Sequence, residues 1–305
     1  MRISEHRGAR LQSGQLAAAA FALAALMPAG PVAAQALDSP VMQFHSYEPA
    51  RPRLKADVFS GLSFWKGDLE KAREAWRAGK FAKARKAFER AWKKGNIVAA
   101  WYLGHIYRLG RGVRANDEKA FRYYRQVALT YDPDEGNRKR LMMTVDALVR
   151  VADYYRTGIG KARKKRDPRR AYRLYNIAAG HGSPSAFYGL GVITLKGQGM
   201  KNHPRRALNW LMMAAKGGYA PAAALLGDLA ARGLKSYIRK DRVAAMSWYF
   251  VAASLTSPAL SPRIYDRLEA LQAKATDKER TRARQLAARF TASIRRKPRA
   301  ITAAQ

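Results

Sequence analysis

The sequence predicts an all-α fold, a solenoid of about four to five stacked helix pairs closed by a helical C-terminal cap. Three observations carry this expectation. An alanine opens each unit at Ala84, Ala120, Ala171, Ala207 and Ala245, with spacings of 36, 51, 36 and 38 residues. Glycines recur at fixed offsets from those anchors. Between the glycines the apolar residues follow helical spacing, as in Leu69, Ala72 and Trp76. A recurrence of this length marks helix pairs that cannot bury an apolar face alone and therefore stack.

The elements follow in order. Residues 1–36 read as a cleavable secretory signal. Arg2, Arg7 and Arg10 precede the apolar run Leu16 to Met27, Pro28 and Gly30 break that run, and Ala34-Gln35-Ala36 supplies the cleavage site. The run has 12 residues, too few to cross a bilayer as a helix. This places the mature protein in the periplasm. Residues 37–60 hold Pro40, Pro49 and Pro52 without a period and read as a flexible lead-in. The repeat array is expected over residues 61–256, beginning with helices at Trp65–Ala78 and Phe81–Lys94.

Within the array, Gly95, Gly182 and Gly218 end the first helix of a unit, and Gly110, Gly197 and Gly233 end the second. Gly104, Gly191 and Gly227 fall inside the second helix. A glycine there costs about 1 kcal/mol against alanine, so its recurrence implies a close crossing with no room for a Cβ. The aromatic residues Tyr123, Trp210 and Trp248, with Tyr124, Tyr175 and Tyr249 one step on, are expected to fill the space between units. The second unit is irregular. It has Ala152 in place of the internal glycine and Tyr131 in place of the first terminal one. Its extra residues fall in Asp132–Thr144 and Lys161–Asp167, which are expected to be loops. Residues 257–294 read as two polar capping helices and 295–305 as a disordered basic tail.

Composition narrows the function. The formal charge of +36 points to an anionic partner. Export makes nucleic acid an unsuitable one, leaving an acidic protein surface, an anionic lipid or an acidic polysaccharide. The absence of cysteine excludes disulfides, thiolate metal sites and a cysteine nucleophile. His6, His45, His105, His181 and His203 are scattered without metal-ligand spacing, and His181 reads as a surface residue of the turn Gly180-His181-Gly182. The Gly-x-Gly pairs follow helices, not strands, and lack the lysine of a phosphate loop. No nucleophile–base constellation stands out. The reading is a non-enzyme without cofactor or metal.

Ala207–Gly218, Ala171–Gly182 and the endings Gly110-Arg111-Gly112 and Gly197-Gln198-Gly199 resemble the Sel-one-like repeats, relatives of the tetratricopeptide repeats. The resemblance implies a right-handed α-solenoid acting as a protein-binding scaffold, with no catalytic residues to carry over. More narrowly, Trp101–Tyr124, the insert after it and Ala152–Ala171 are similar to the ExoR exopolysaccharide negative regulators. That likeness implies a periplasmic protein that restrains a membrane sensor histidine kinase through its periplasmic domain. The high positive charge departs from what such a regulator is expected to carry.

A partner is expected on the outward face of the first helices, where Arg122, Arg125, Arg173, Asn176 and Asn209 lie. The second candidate is the basic loop Lys161, Arg163, Lys164, Lys165 and Arg166, with the tail Arg295–Arg299. Two functions of different class follow: a regulatory scaffold for a sensor kinase, or an envelope-structure protein that holds peptidoglycan, acidic polysaccharide or membrane through its basic surface.

Overall fold

Seven polar side chains set where helices begin. Asn96, Asn116, Asn137, Asp167, Ser183, Asp241 and Thr276 each accept a hydrogen bond from a backbone N–H of the first turn that follows. Pro168, Pro184, Pro204 and Pro262 stand at the first position of their helices, where proline's missing N–H costs nothing. Gly110 and Gly197 close two second helices in the left-handed conformation, at φ 68° and 63°. The computed structural model describes residues 66–160 and 166–295. Among the described residues there are twelve helices and no strand; Leu234 and Ile238 form an isolated antiparallel bridge. The expected signal and lead-in, residues 296–305 of the expected tail, and Lys161, Arg163, Lys164 and Lys165 lie outside them, while Arg295 ends the last helix.

The helices run in antiparallel pairs. The array opens with α1 (Lys66–Arg77), which packs on α2 (Phe81–Lys93), and continues with α3 (Ile97–Leu109) and α4 (Asp117–Ala128). Then come α5 (Arg138–Thr157), α6 (Pro168–Gly180), α7 (Pro184–Lys196), α8 (Pro204–Lys216), α9 (Ala220–Arg232) and α10 (Arg242–Ser254). The chain's described part ends in α11 (Pro262–Gln272) and α12 (Asp277–Arg295). The first helices are α2, α4, α6, α8 and α10, and each packs on the second helix before it and, up to α8, on the one after.

The anchor alanines have no exposed surface. The residue four places after the last four anchors, Tyr124, Tyr175, Leu211 or Tyr249, crosses to a second helix. A Cβ on Gly104 would stand 2.7 Å from the Tyr124 ring, one on Gly227 would stand 2.8 Å from Tyr249, and one on Gly191 would stand 2.8 Å from Leu211. The close approach is therefore ring or leucine onto helix, with the anchor's own carbonyl next, 3.3 Å away at Ala207 and 3.4 Å at Ala245. Gly189, outside the fixed offsets, is tighter still: Tyr175 occupies the place its Cβ would take. Trp210 is half-buried and stacks on Phe187 of α7, with centroids 5.6 Å apart. Trp248 is buried edge-on against Phe290 of α12, at 4.7 Å.

Two expectations are corrected. The insert of the second unit is only partly loop. Asn137 caps a helix through its side chain, so Arg138–Thr144 extends α5 to 20 residues, against 13 in α7 and α9. Met143 and Thr144 are buried. A run without glycine or proline behind an asparagine cap propagates as helix. His181 is not a bare surface residue. Its Nε2 lies 2.7 Å from the Tyr131 hydroxyl, which ties the turn of the second unit to that of the third.

Candidate interaction surface

On the first helices, Arg122, Arg173 and Asn209 are exposed, while Arg125 and Asn176 are half-buried. They occur at the same two positions of successive units, so the outward stripe is a run of cations and amides. Arg166 is exposed and its Nε reaches the Arg156 carbonyl at 3.4 Å.

The strongest polar features lie instead on the second helices, where sequence reasoning had not looked. Asp146, on α5, accepts from the Trp101 Nε1–H at 2.9 Å and pairs with Arg150 at 3.1 Å. The His105 Nε2 stands 3.5 Å from the same carboxylate. The His105 ring is wedged edge-on between Trp101 and Tyr124. Burial alone would push the Asp146 carboxyl up. Arg150, with His105 and the Trp101 N–H, more than offsets this and holds it well below the usual carboxylate range. Burial pushes the His105 imidazole below its ordinary value, against the pull of Asp146, which favours the neutral ring.

Two turns along α5 from Asp146, Asp153 accepts the Tyr175 hydroxyl at 2.6 Å, and Arg156 bonds both. Burial, then Asp153, raises the Tyr175 phenol well above its ordinary value. The same joint recurs where Tyr249 donates to Asp228 at 2.8 Å. Losing such a bond to a charged acceptor costs about 1.5–3 kcal/mol. Tyr175→Phe is therefore expected to lower the unfolding free energy by about that amount, read from urea midpoints, with helix content unchanged.

Asp146, Arg150 and Asp153 follow one another at i, i+4 and i+7 within the mostly apolar run Val145–Tyr154 of α5. That spacing was the available signal. Arg150 and Asp153, but not Asp146, face a cleft of about 250 Å³ lined also by Arg108, Asp117, Tyr154 and Thr157. Tyr154 donates to Asp117 at 3.1 Å. The carboxylates that border the cleft are each engaged by a phenol or an arginine.

The profile of the Sel1 repeat matches residues 97–129, 145–183, 184–219 and 220–257. These helix pairs are Sel1 repeats. The chain is 30% identical over 177 residues to an exopolysaccharide production negative regulator of Rhizobium leguminosarum bv. viciae, covering 57% of this chain and 66% of that one. It is 32% identical over 156 residues to the protein of the same description in Rhizobium meliloti (strain 1021), covering 51% and 58%. The match spans less than two thirds of either relative. A Sel1 repeat protein from Oxalobacter formigenes shares the fold, with a TM-score of 0.51 and 24% identity over 80% of this chain and 91% of that one. In the Sel1 frame the irregular stretch, residues 130–144, is the gap between the first two matched repeats. Among the described residues no helix is long and apolar enough to cross a membrane.

Proposed function

We propose that this chain is an exported, non-catalytic scaffold that represses exopolysaccharide production by binding the periplasmic domain of a membrane sensor histidine kinase. The likeness to two negative regulators of exopolysaccharide production is the observation that carries this reading. The fold supports it, because stacked helix pairs offer a long contact face on rigid elements. The partner contacts are Arg122, Arg125 and Arg173 on α4 and α6, with Asn176 and Asn209 continuing the stripe onto α8. Three cations and two amides match an acidic partner segment and steer its approach.

Affinity capture from membranes of the producing bacterium, with the mature protein as bait, tests this. Recovery of a two-component sensor kinase is the expected result. Charge reversal of Arg122, Arg125 and Arg173 to Glu should reduce that recovery at least about tenfold, since rim charges act on association. Recovery of glycan or lipid alone would sink the reading. So would recovery of the kinase unchanged by the reversal, as far as the stripe is concerned.

A further inference from the structure

The fourth unit is two residues longer than the third, 38 against 36, and the structure shows where they go. The joint between α9 and α10 is folded into a small hairpin. Leu234 and Ile238 form an antiparallel bridge, with Leu234 N–H donating to Ile238 at 2.8 Å and Ile238 N–H returning at 3.3 Å. Lys235 takes φ +42°, a conformation non-glycine residues adopt at a cost. Leu234 and Ile238 are half-buried against the core and anchor the hairpin. The tip, Lys235, Ser236 and Tyr237, is exposed, and the Tyr237 ring is 47% accessible.

The antiparallel pairing of helices puts every joint from a second helix to the next first helix at the same end of the stack. In the C-terminal half of that edge the charge is one-sided. The segments 196–206 and 232–240 contain eight lysines and arginines and no aspartate or glutamate. Lys201, Arg205, Arg206, Lys235, Arg239 and Lys240 are all exposed. Among the described residues none of those six is ion-paired. Asp241, which follows, is occupied in capping α10. On the opposite edge the joint between α4 and α5 carries Asp132, Asp134 and Glu135.

We propose that this edge is a membrane-docking surface that takes anionic phospholipid headgroups, with the Tyr237 hairpin seated at the interface. The cations stand on exposed joints with a single exposed tyrosine among them, whereas an extended glycan is held in a groove with several aromatic platforms. An exposed tyrosine flanked by lysine and arginine suits the headgroup region, where its ring is partly in the acyl boundary and its hydroxyl is wet. Clustered cations gain from an anionic leaflet only within about a Debye length, so exposed side chains at one end of the stack are the ones that contribute. The inference stands apart from the kinase reading and uses none of its residues.

The chain has no cysteine, so Tyr237→Cys accepts a single environment-sensitive dye. The labelled full-length mature protein is mixed with phosphatidylcholine vesicles, with vesicles containing phosphatidylglycerol, and with soluble polygalacturonate. Sedimentation with the phosphatidylglycerol vesicles and a blue shift of the dye are expected, neither with phosphatidylcholine. Replacing Lys235, Arg239 and Lys240 by Glu should weaken vesicle binding at least about tenfold, in line with the attraction of each cation near an anionic surface. The unlabelled Tyr237→Ala chain should bind a few-fold more weakly. Circular dichroism checks that each variant keeps its helices. An unshifted dye on bound vesicles, or polygalacturonate binding as tight as vesicle binding, overturns the proposal, as does absence of vesicle binding.

Discussion

Asp146→Ala is expected to lower the unfolding free energy by about 2–4 kcal/mol. Removing one partner of a buried ion pair strands the other, and that desolvated charge sets the cost. Here Arg150 would be left without its carboxylate and the Trp101 N–H without its acceptor. The residual exposure of both side chains, 17% and 25%, keeps the figure below that of a fully enclosed pair. Urea titration of wild type, Asp146→Ala and Asp146→Ala/Arg150→Met measures it. The double variant should recover part of the loss, because no charge remains buried unpaired. A double variant less stable than the single one would mean that Arg150 acts by packing its stem. The pH dependence has a fixed sign. The folded Asp146 pKa is depressed, so its contribution is complete above the ordinary aspartate value of about 4 and is lost as the pH falls further. The gap between wild type and Asp146→Asn should narrow in that acid range.

Gly189→Ala is expected to destabilise by about 1–3 kcal/mol, a cost of overpacking that outweighs the gain of about 1 kcal/mol from alanine's helix propensity. The new methyl would enter the Tyr175 ring, which is fully buried and held at its hydroxyl by Asp153. Gly180→Ala is the control. It lies in α6 with nothing within 4 Å of a built Cβ, so the propensity gain stands alone and the change should be neutral or stabilising. Gly191→Ala falls between, because the obstacle there is the end of Leu211, a side chain that can turn. Thermal midpoints that ranked these three differently would show that the crossing is not what limits the glycine.

The repeat was legible because it is periodic along the chain. Each anchor alanine, each terminal glycine and each internal glycine had a counterpart a fixed distance away, and one copy corroborates another. Gly189 stayed hidden because it has no counterpart. So did Asp146 and Arg150, which sit in the one unit without a regular copy, and whose partner Trp101 is 45 residues distant. The helical half of the insert was hidden for a different reason: Asp132–Thr144 opens with turn-forming residues, and the cap at Asn137 that ends the turn reads like one more of them. The exposed stripe of the first helices was legible from spacing alone. Which of its residues are held at half exposure by neighbours was not.

The tyrosine joints also fix which unit can follow which. Where the crossing residue is Tyr175 or Tyr249, the preceding second helix presents Asp153 or Asp228 to receive its hydroxyl. Where it is Leu211, the residue in the same place is Val192, buried and apolar. An exchange of the third and fourth units would set a leucine against a carboxylate and a phenol against a valine. The order of the array is thereby written into its seams. A duplication or deletion can be inherited without penalty only if it begins and ends at matching seams.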